Sequence, residues 1–173
     1  VRIDRVTLEP RVKVVGCDLW SDEEGFQEAT SATGVTGVCG SGIIEVLAEM
    51  YLAGVLSHDG VIDGAKAAIT DRVVPDERTF SYVLHRPSTE SGPVLHITQN
   101  DVRAVQLAKA ALRAGIDLLL EHAGLSNADE VRLAGAFGAH IDPVYAMVLG
   151  LIPDGPVEVV RAVGNAAGTG AVR

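Results

Sequence analysis

Residues 130–138 read Glu130-Val-Arg-Leu-Ala-Gly-Ala-Phe-Gly138, and residues 158–170 read Glu158-Val-Val-Arg-Ala-Val-Gly-Asn-Ala-Ala-Gly-Thr-Gly170. Each is a short strand-like run that meets a glycine turn. Between them Asp142-Pro143 opens a helix, with Asp as N-cap and Pro at N1, and Gly150 ends it. Strand, glycine turn and helix in alternation point to an α/β domain whose strand ends face a ligand.

A third glycine cluster, Gly37-Val-Cys-Gly-Ser-Gly42, precedes the run Ile43, Ile44, Leu47, Ala48 and Tyr51. Those residues share one helical face, so residues 41–53 are expected to be helical, with Gly54 as the stop. The strongest helix signal follows Thr98, which with Asp101 forms a capping pair. Val105, Ala108, Leu112, Ile116 and Leu119 make its expected core stripe, and Gly124 closes it. Ala104, Ala108, Ala111 and Gly115 recur at steps of four, three and four, a pattern that lets another helix approach closely. Residues 55–98 read as a loop-rich insert. Within it residues 80–85 and 94–98 are expected to pair as a hairpin about a Pro/Ser/Gly turn at 87–93. Residues 11–15 alternate as a strand. Residues 16–36 read as an acidic loop, anchored by Trp20 and Phe26.

The chain has 173 residues, 47% of them hydrophobic, and a formal charge of −9. It can therefore bury a sizeable core. The acidity argues against nucleic-acid binding and against docking on anionic lipid. No apolar run is long enough to span a membrane, and no signal-peptide pattern opens the chain. Two cysteines, Cys17 and Cys39, supply neither a disulfide framework nor a four-thiolate metal site. A cytoplasmic location is the expectation. The chain starts at Val1 and stops at Arg173 just after a glycine-rich run, which reads as part of a longer protein.

Glycine lacks a Cβ, so backbone N–H groups in such turns can approach a phosphate or ribose, and a helix N-terminus adds positive potential there. The competing reading of each cluster is a tight turn or close packing. None is a dinucleotide-binding fingerprint or a P-loop. Cys39, just before a helix, reads as a small buried residue at a crowded turn more readily than as a reactive thiolate. Asp142 is explained as a cap, and His58, Asp59 and Asp63 fall in Asp-Gly turns rather than at cation-site spacing. No metal site is expected. Arg103 and Lys109 read as solvated charges. No G-x-S-x-G nucleophile is present.

Five motifs in order carry a family resemblance. They are Gly34-Val-Thr-Gly-Val-Cys-Gly-Ser-Gly-Ile-Ile-Glu45, Ile97-Thr-Gln-Asn-Asp101 with Gln106-Leu-Ala-Lys109, Leu133-Ala-Gly-Ala-Phe-Gly138 with Ile141-Asp-Pro143, Gly150-Leu-Ile-Pro153, and Val163-Gly-Asn-Ala-Ala-Gly-Thr-Gly170. From about Val12 to Gly170 the chain resembles the C-terminal part of the reductive activators of corrinoid-dependent methyltransferases. The resemblance implies a ribonuclease-H-like α/β lobe of the actin, sugar-kinase and heat-shock-chaperone (ASKHA) ATPase superfamily, here incomplete. It implies one lobe over residues 1–173 of a larger, cytoplasmic protein. Such activators carry a ferredoxin-like domain with a 2Fe–2S cluster and use ATP with Mg to return a corrinoid protein from cobalt(II) to cobalt(I).

The resemblance further implies that Gly40, Ser41, Gly42, Gly135, Ala136, Phe137, Gly138, Gly164, Asn165 and Gly168 contact the nucleotide. Leu133 to Gly138 resembles the adenosine-side motif. Gly164 to Gly170 resembles the last connecting turn, with a final helix expected after it and cut off. The superfamily's two Asp-x-Gly-Thr phosphate turns and the four cluster cysteines are absent from these residues. The chain by itself is therefore expected to be no ATPase, with no catalytic residue of its own, since phosphoryl transfer rests on positioning and electrostatics. A lobe lacking those strands is expected to self-associate through its open sheet edge. Two other readings stand beside this one. One is a docking module for the corrinoid protein; the other is a lobe of a small-molecule kinase of the same superfamily.

Overall fold

The computed structural model describes residues 1–87, 92–135 and 137–172. The sequence reading treats residues 1–173 as one lobe; the backbone groups them in two compact units. The first comprises Val1–Cys39 and Glu49–Ala104, the second Gly40–Ala48 and Val105–Arg173.

In the first unit, β1 (Arg2–Ile3) and β2 (Pro10–Arg11) form a two-stranded antiparallel sheet, and α1 (Phe26–Ala29) is a single turn. The expected strand over 11–15 stops at Arg11. Beyond it Val12 turns to Ser21: its N–H donates to Ser21 Oγ at 3.0 Å, and Ser21 N–H donates to its carbonyl at 2.9 Å. A second antiparallel sheet has the order β3 (Val73–Asp76), β4 (Thr79–His85), β5 (Leu95–Ile97). The β4–β5 pairing is a hairpin with an irregularity between Val83 and His85. Residues 88–91 of its connection lie outside the described residues. β3 is an addition to the sequence reading, which took residues 55–98 as a loop-rich insert with one hairpin. Pro75 lacks a donor, and it sits in the outer strand of the sheet, where that is tolerated.

The core of this unit gathers Phe26, Met50, Ile62, Tyr82, Ile97 and Val102, all under a tenth exposed. Tyr82 reaches it with its hydroxyl satisfied, donating to the Leu8 carbonyl at 2.7 Å. Burial pushes that phenol's pKa up. Glu49 is also buried; it accepts the Ile3 N–H at 3.0 Å and pairs with Arg5 at 3.1 Å.

In the second unit, α2 (Gly40–Leu52) contributes its first nine residues, Gly40–Ala48, and α3 (Gln99–Ala123) its stretch from Val105. The start of α3 follows the expected capping pair: Thr98 N–H and Oγ donate to Asp101, and Asp101 N–H donates back to Thr98 Oγ at 3.1 Å. β6 (Val131–Leu133) and β7 (Val160–Ala162) pair in parallel, separated by α4 (Pro143–Val148). Asp142 caps α4 through the Val144 N–H at 2.9 Å. The cross-strand arginines Arg132 and Arg161 both reach Glu130, at 3.0 and 3.6 Å, which offsets their like charge. A hydrogen bond from Arg132 holds the Glu130 carboxyl below its ordinary range. Ile44, Ala48, Tyr145, Ala146, Leu151 and Ile152 form the core, with Val105, Val131, Leu133 and Val160 packed against it.

Two expectations need correcting. On α3, Val105 packs on that core and Ile116 is half-buried, but Ala108, Leu112 and Leu119 are exposed. A Cβ at Gly115 would meet nothing within 4 Å, so no described residue comes close to the small-residue row there. The final helix is present: α5 (Ala166–Val172) begins inside the glycine run rather than after it. Asn165 makes that start workable by accepting the Gly168 N–H on its side-chain oxygen at 3.1 Å.

Candidate functional site

All three glycine clusters contribute to the second unit, and two contacts tie them together. The first joins α2 to the turn after β6. A Cβ on Gly40 would lie 2.8 Å from Phe137 Cε2 and 2.9 Å from Cδ2, so the ring rests on the bare backbone of the helix's first turn. The second joins the two strand ends. Val163 N–H donates to the Leu133 carbonyl at 3.0 Å, and Gly135 N–H donates to the Gly164 carbonyl at 2.7 Å. The parallel ladder thus runs past both strands into both turns.

Local chemistry explains each position. Gly135 sits at φ +100°, where a side chain is strained, and Gly164 at φ +63°. Gly138 is buried under β6, and its Cβ would lie 3.2 Å from the Leu133 carbonyl carbon. That glycine is a packing requirement. Phe137 is 51% exposed, so half the ring faces outward from the joined turns. Ser41 and Gly42 are half-buried in the first turn of α2, which carries no acidic residue. Asn165 is exposed, but its side chain is engaged by α5: a Cβ on Gly168 would lie 2.5 Å from Asn165 Nδ2. Ala136 lies outside the described residues.

The structure thus joins Gly40, Phe137, Gly135 and Gly164 by direct contact. It gives Gly138, Gly168 and Asn165 local structural roles. Sequence spacing could not pair Gly40 with Phe137, nearly a hundred positions away. The missing Cβ in an otherwise good helix was the only signal.

The site offers backbone amides, one aromatic ring and a helix N-terminus. Among the described residues no group of three or more His, Cys, Asp or Glu is placed to hold a metal ion. An iron–sulfur cluster needs four ligands, normally thiolates, and does not fit the two cysteines: Cys17 is half-buried in the first unit, and Cys39 is exposed rather than buried as the sequence reading expected. An open cleft in the first unit is bordered by Arg2, Glu9, Arg11, Arg72 and Arg86.

Parallel strands ending in glycine turns, with helices returning between them, are here the fold of an ASKHA domain. The chain belongs to the family described as the C-terminal domain of RACo, the ASKHA domain, which matches over residues 1–173. It is 39% identical over 168 residues to the corrinoid activation enzyme RamQ of Eubacterium limosum, a match covering 92% of this chain and 28% of the relative. Among solved structures it is similar to a reductive activator for corrinoid, iron-sulfur protein, with a TM-score of 0.70 and 32% identity. That match covers 78% of this chain and 22% of the other. The chain therefore spans about a quarter of the length of these relatives. No helix among the described residues is long and apolar enough to cross a membrane.

Proposed function

We propose that this chain is the nucleotide-side lobe of an ATP-dependent reductive activator, which returns a corrinoid protein of a methyltransferase system from cobalt(II) to cobalt(I). The observation that carries the reading is the joining of three glycine turns through Gly40–Phe137 and Gly135–Gly164. Backbone amides beside the Phe137 ring, other than that of Gly135, which donates to the Gly164 carbonyl, can line one side of a nucleotide. Gly40, Ser41, Gly42, Gly135, Ala136, Phe137, Gly138, Gly164, Asn165 and Gly168 are the proposed nucleotide contacts. Phosphate clamps, the Mg-holding carboxylates and the 2Fe–2S electron donor are assigned to residues outside these 173, in one cytoplasmic protein.

On this reading the chain alone does not hydrolyse ATP. It supplies binding surface for the adenosine end, and charge stabilisation at the γ-phosphoryl comes from elsewhere. The similarity to RamQ supports a role in corrinoid activation for the longer protein.

The test is calorimetric titration of Mg-ATP into this chain and into a longer polypeptide that adds the preceding region. Binding by the longer polypeptide alone is the expected result. Tight binding by the 173 residues alone would overturn the divided site. Gly135→Asp should abolish ATP-dependent corrinoid reduction by the longer protein; unchanged reduction would count against the nucleotide role.

A further inference from the structure

Trp20 is the chain's only tryptophan, and three cations surround its ring. The Arg11 guanidinium lies 4.7 Å from the ring centroid, the Lys13 ammonium 5.1 Å and the Arg2 guanidinium 5.8 Å. Arg2 and Arg11 are direct cross-strand partners in the β1–β2 pair. Like charges so placed repel, and a two-residue ladder has little with which to oppose them. The ring quadrupole attracts each cation and offsets part of this.

The chain has abundant carboxylates nearby, and among the described residues Arg11 and Lys13 are paired with none of them. Asp22, Glu23 and Glu24 lie two to four residues after Trp20, yet Glu23 turns to accept the Trp20 backbone N–H at 2.9 Å. Among the described residues, no carboxylate lies within 4.0 Å of the Arg11 or Lys13 charge. Glu9, the acid preceding β2, is taken by Arg72 at 2.8 Å. Asp4, between β1 and β2, is taken by its own turn, accepting from the Val6 and Thr7 N–H groups. A chain of formal charge −9 thus keeps the Arg11 and Lys13 charges on an aromatic ring without a carboxylate partner among the described residues.

We propose that the Trp20 cluster is a docking point for an acidic segment of a partner protein. The exposed Arg11 and Lys13 charges are presented together with an aromatic ring, so an acidic peptide segment, which brings both carboxylates and apolar groups, satisfies the cluster better than a small anion. Arg11 and Lys13 are exposed, and Trp20 is half-buried. Tryptophan and arginine are also the residues that most often dominate protein–protein contacts. This inference does not rest on the nucleotide reading and concerns only the first unit.

The test uses Trp20 emission, which no other tryptophan contaminates. The 173-residue chain is titrated with an oligoglutamate peptide, and separately with inorganic pyrophosphate. A saturable change with the peptide is expected. It should weaken roughly 10-fold in the double variant Arg11→Gln, Lys13→Gln. It should also fade as salt rises from about 0.05 M to about 0.5 M. Both side chains are exposed, so the variant should keep its fold, checked by an unchanged thermal melt. No saturable response, or one retained in the double variant, overturns the proposal. Pyrophosphate binding more tightly than the peptide overturns the assignment to a protein partner.

Discussion

The ring of Phe137 occupies the space where a Cβ of Gly40 would stand, 2.8 Å from that position. This contact is how a helix start and a strand-end turn become one surface. Gly40→Ala must displace the ring, but the atoms in the way are the far edge of a half-exposed side chain. The stability cost should therefore stay below about 1 kcal/mol, and the better helix propensity of alanine offsets part of it. Nucleotide affinity of the longer protein should nevertheless fall, by about 10-fold if one well-placed contact is lost. Thermal melts with Mg-ATP titration separate the two effects. Unchanged affinity would leave the contact purely structural.

Gly135 and Gly164 are linked by a 2.7 Å hydrogen bond, but their backbones differ. Gly135 is at φ +100°, outside the range that other residues tolerate, and a Cβ there meets nothing within 4 Å. Its substitution cost is therefore strain and not collision. Gly135→Ala should lose about 1–3 kcal/mol. Gly164, at φ +63°, sits where asparagine is accepted, and Gly164→Asn should cost less than about 1 kcal/mol. Urea denaturation of both variants checks the ranking, and equal losses would contradict it.

α3 shows both how far the sequence could be read and where it failed. Its capping pair and its end before Gly124 were legible, because they depend on residues within one turn. The assignment of its buried face was not. Periodicity marks an apolar face but cannot say whether a neighbour covers it. Val102 is 1% exposed and Leu119 is 72% exposed, although only Leu119 was counted in the core stripe. Val102→Ala should cost roughly 2 kcal/mol, from two lost methyls and a residual cavity. Leu119→Ala should stay within about 0.5 kcal/mol. A large loss from Leu119→Ala in this chain would mean that the exposed face is covered in solution.

The glycine turns that follow β6 at Gly135 and β7 at Gly164 were legible because glycine at a strand end has few other uses. Their joining to Gly40 was not, since it depends on an absent side chain. Trp20 illustrates the opposite difficulty. Its sequence neighbours are acidic, so the loop read as acidic, and only the β1–β2 pairing brings Arg2 beside Arg11. The early start of α5 was missed because Gly168 and Gly170 disfavour a helix, and the Asn165 cap is visible only in three dimensions.

Arg5 and Glu49 test the packing of the first unit. Glu49 is buried while the Arg5 side chain is 44% exposed, so the pair is asymmetric. Arg5→Ala removes both the 3.1 Å ion pair and the guanidinium hydrogen bond to the Glu49 carbonyl. It leaves a buried carboxylate with the Ile3 N–H still donating to it. The expected loss is about 2–3 kcal/mol, below the full cost of breaking a wholly buried pair because water reaches Arg5. A loss near zero in urea denaturation would place the pair with ordinary surface bridges.

His85 gives the molecule a pH dependence of defined sign. It lies at the irregularity between β4 and β5, and burial, aided by the Arg72 charge, holds its pKa below the ordinary 6.5. In the window between the folded value and 6.5 the unfolded chain binds the proton more readily than the folded one. Stability therefore falls as pH drops through that window, and the contribution is fully present only above 6.5. Comparing urea midpoints at about pH 7.5 and about pH 5.5 should show a loss in the natural sequence. The loss should be smaller in His85→Gln, which cannot take up the proton. An equal loss in both would assign the pH response to other groups.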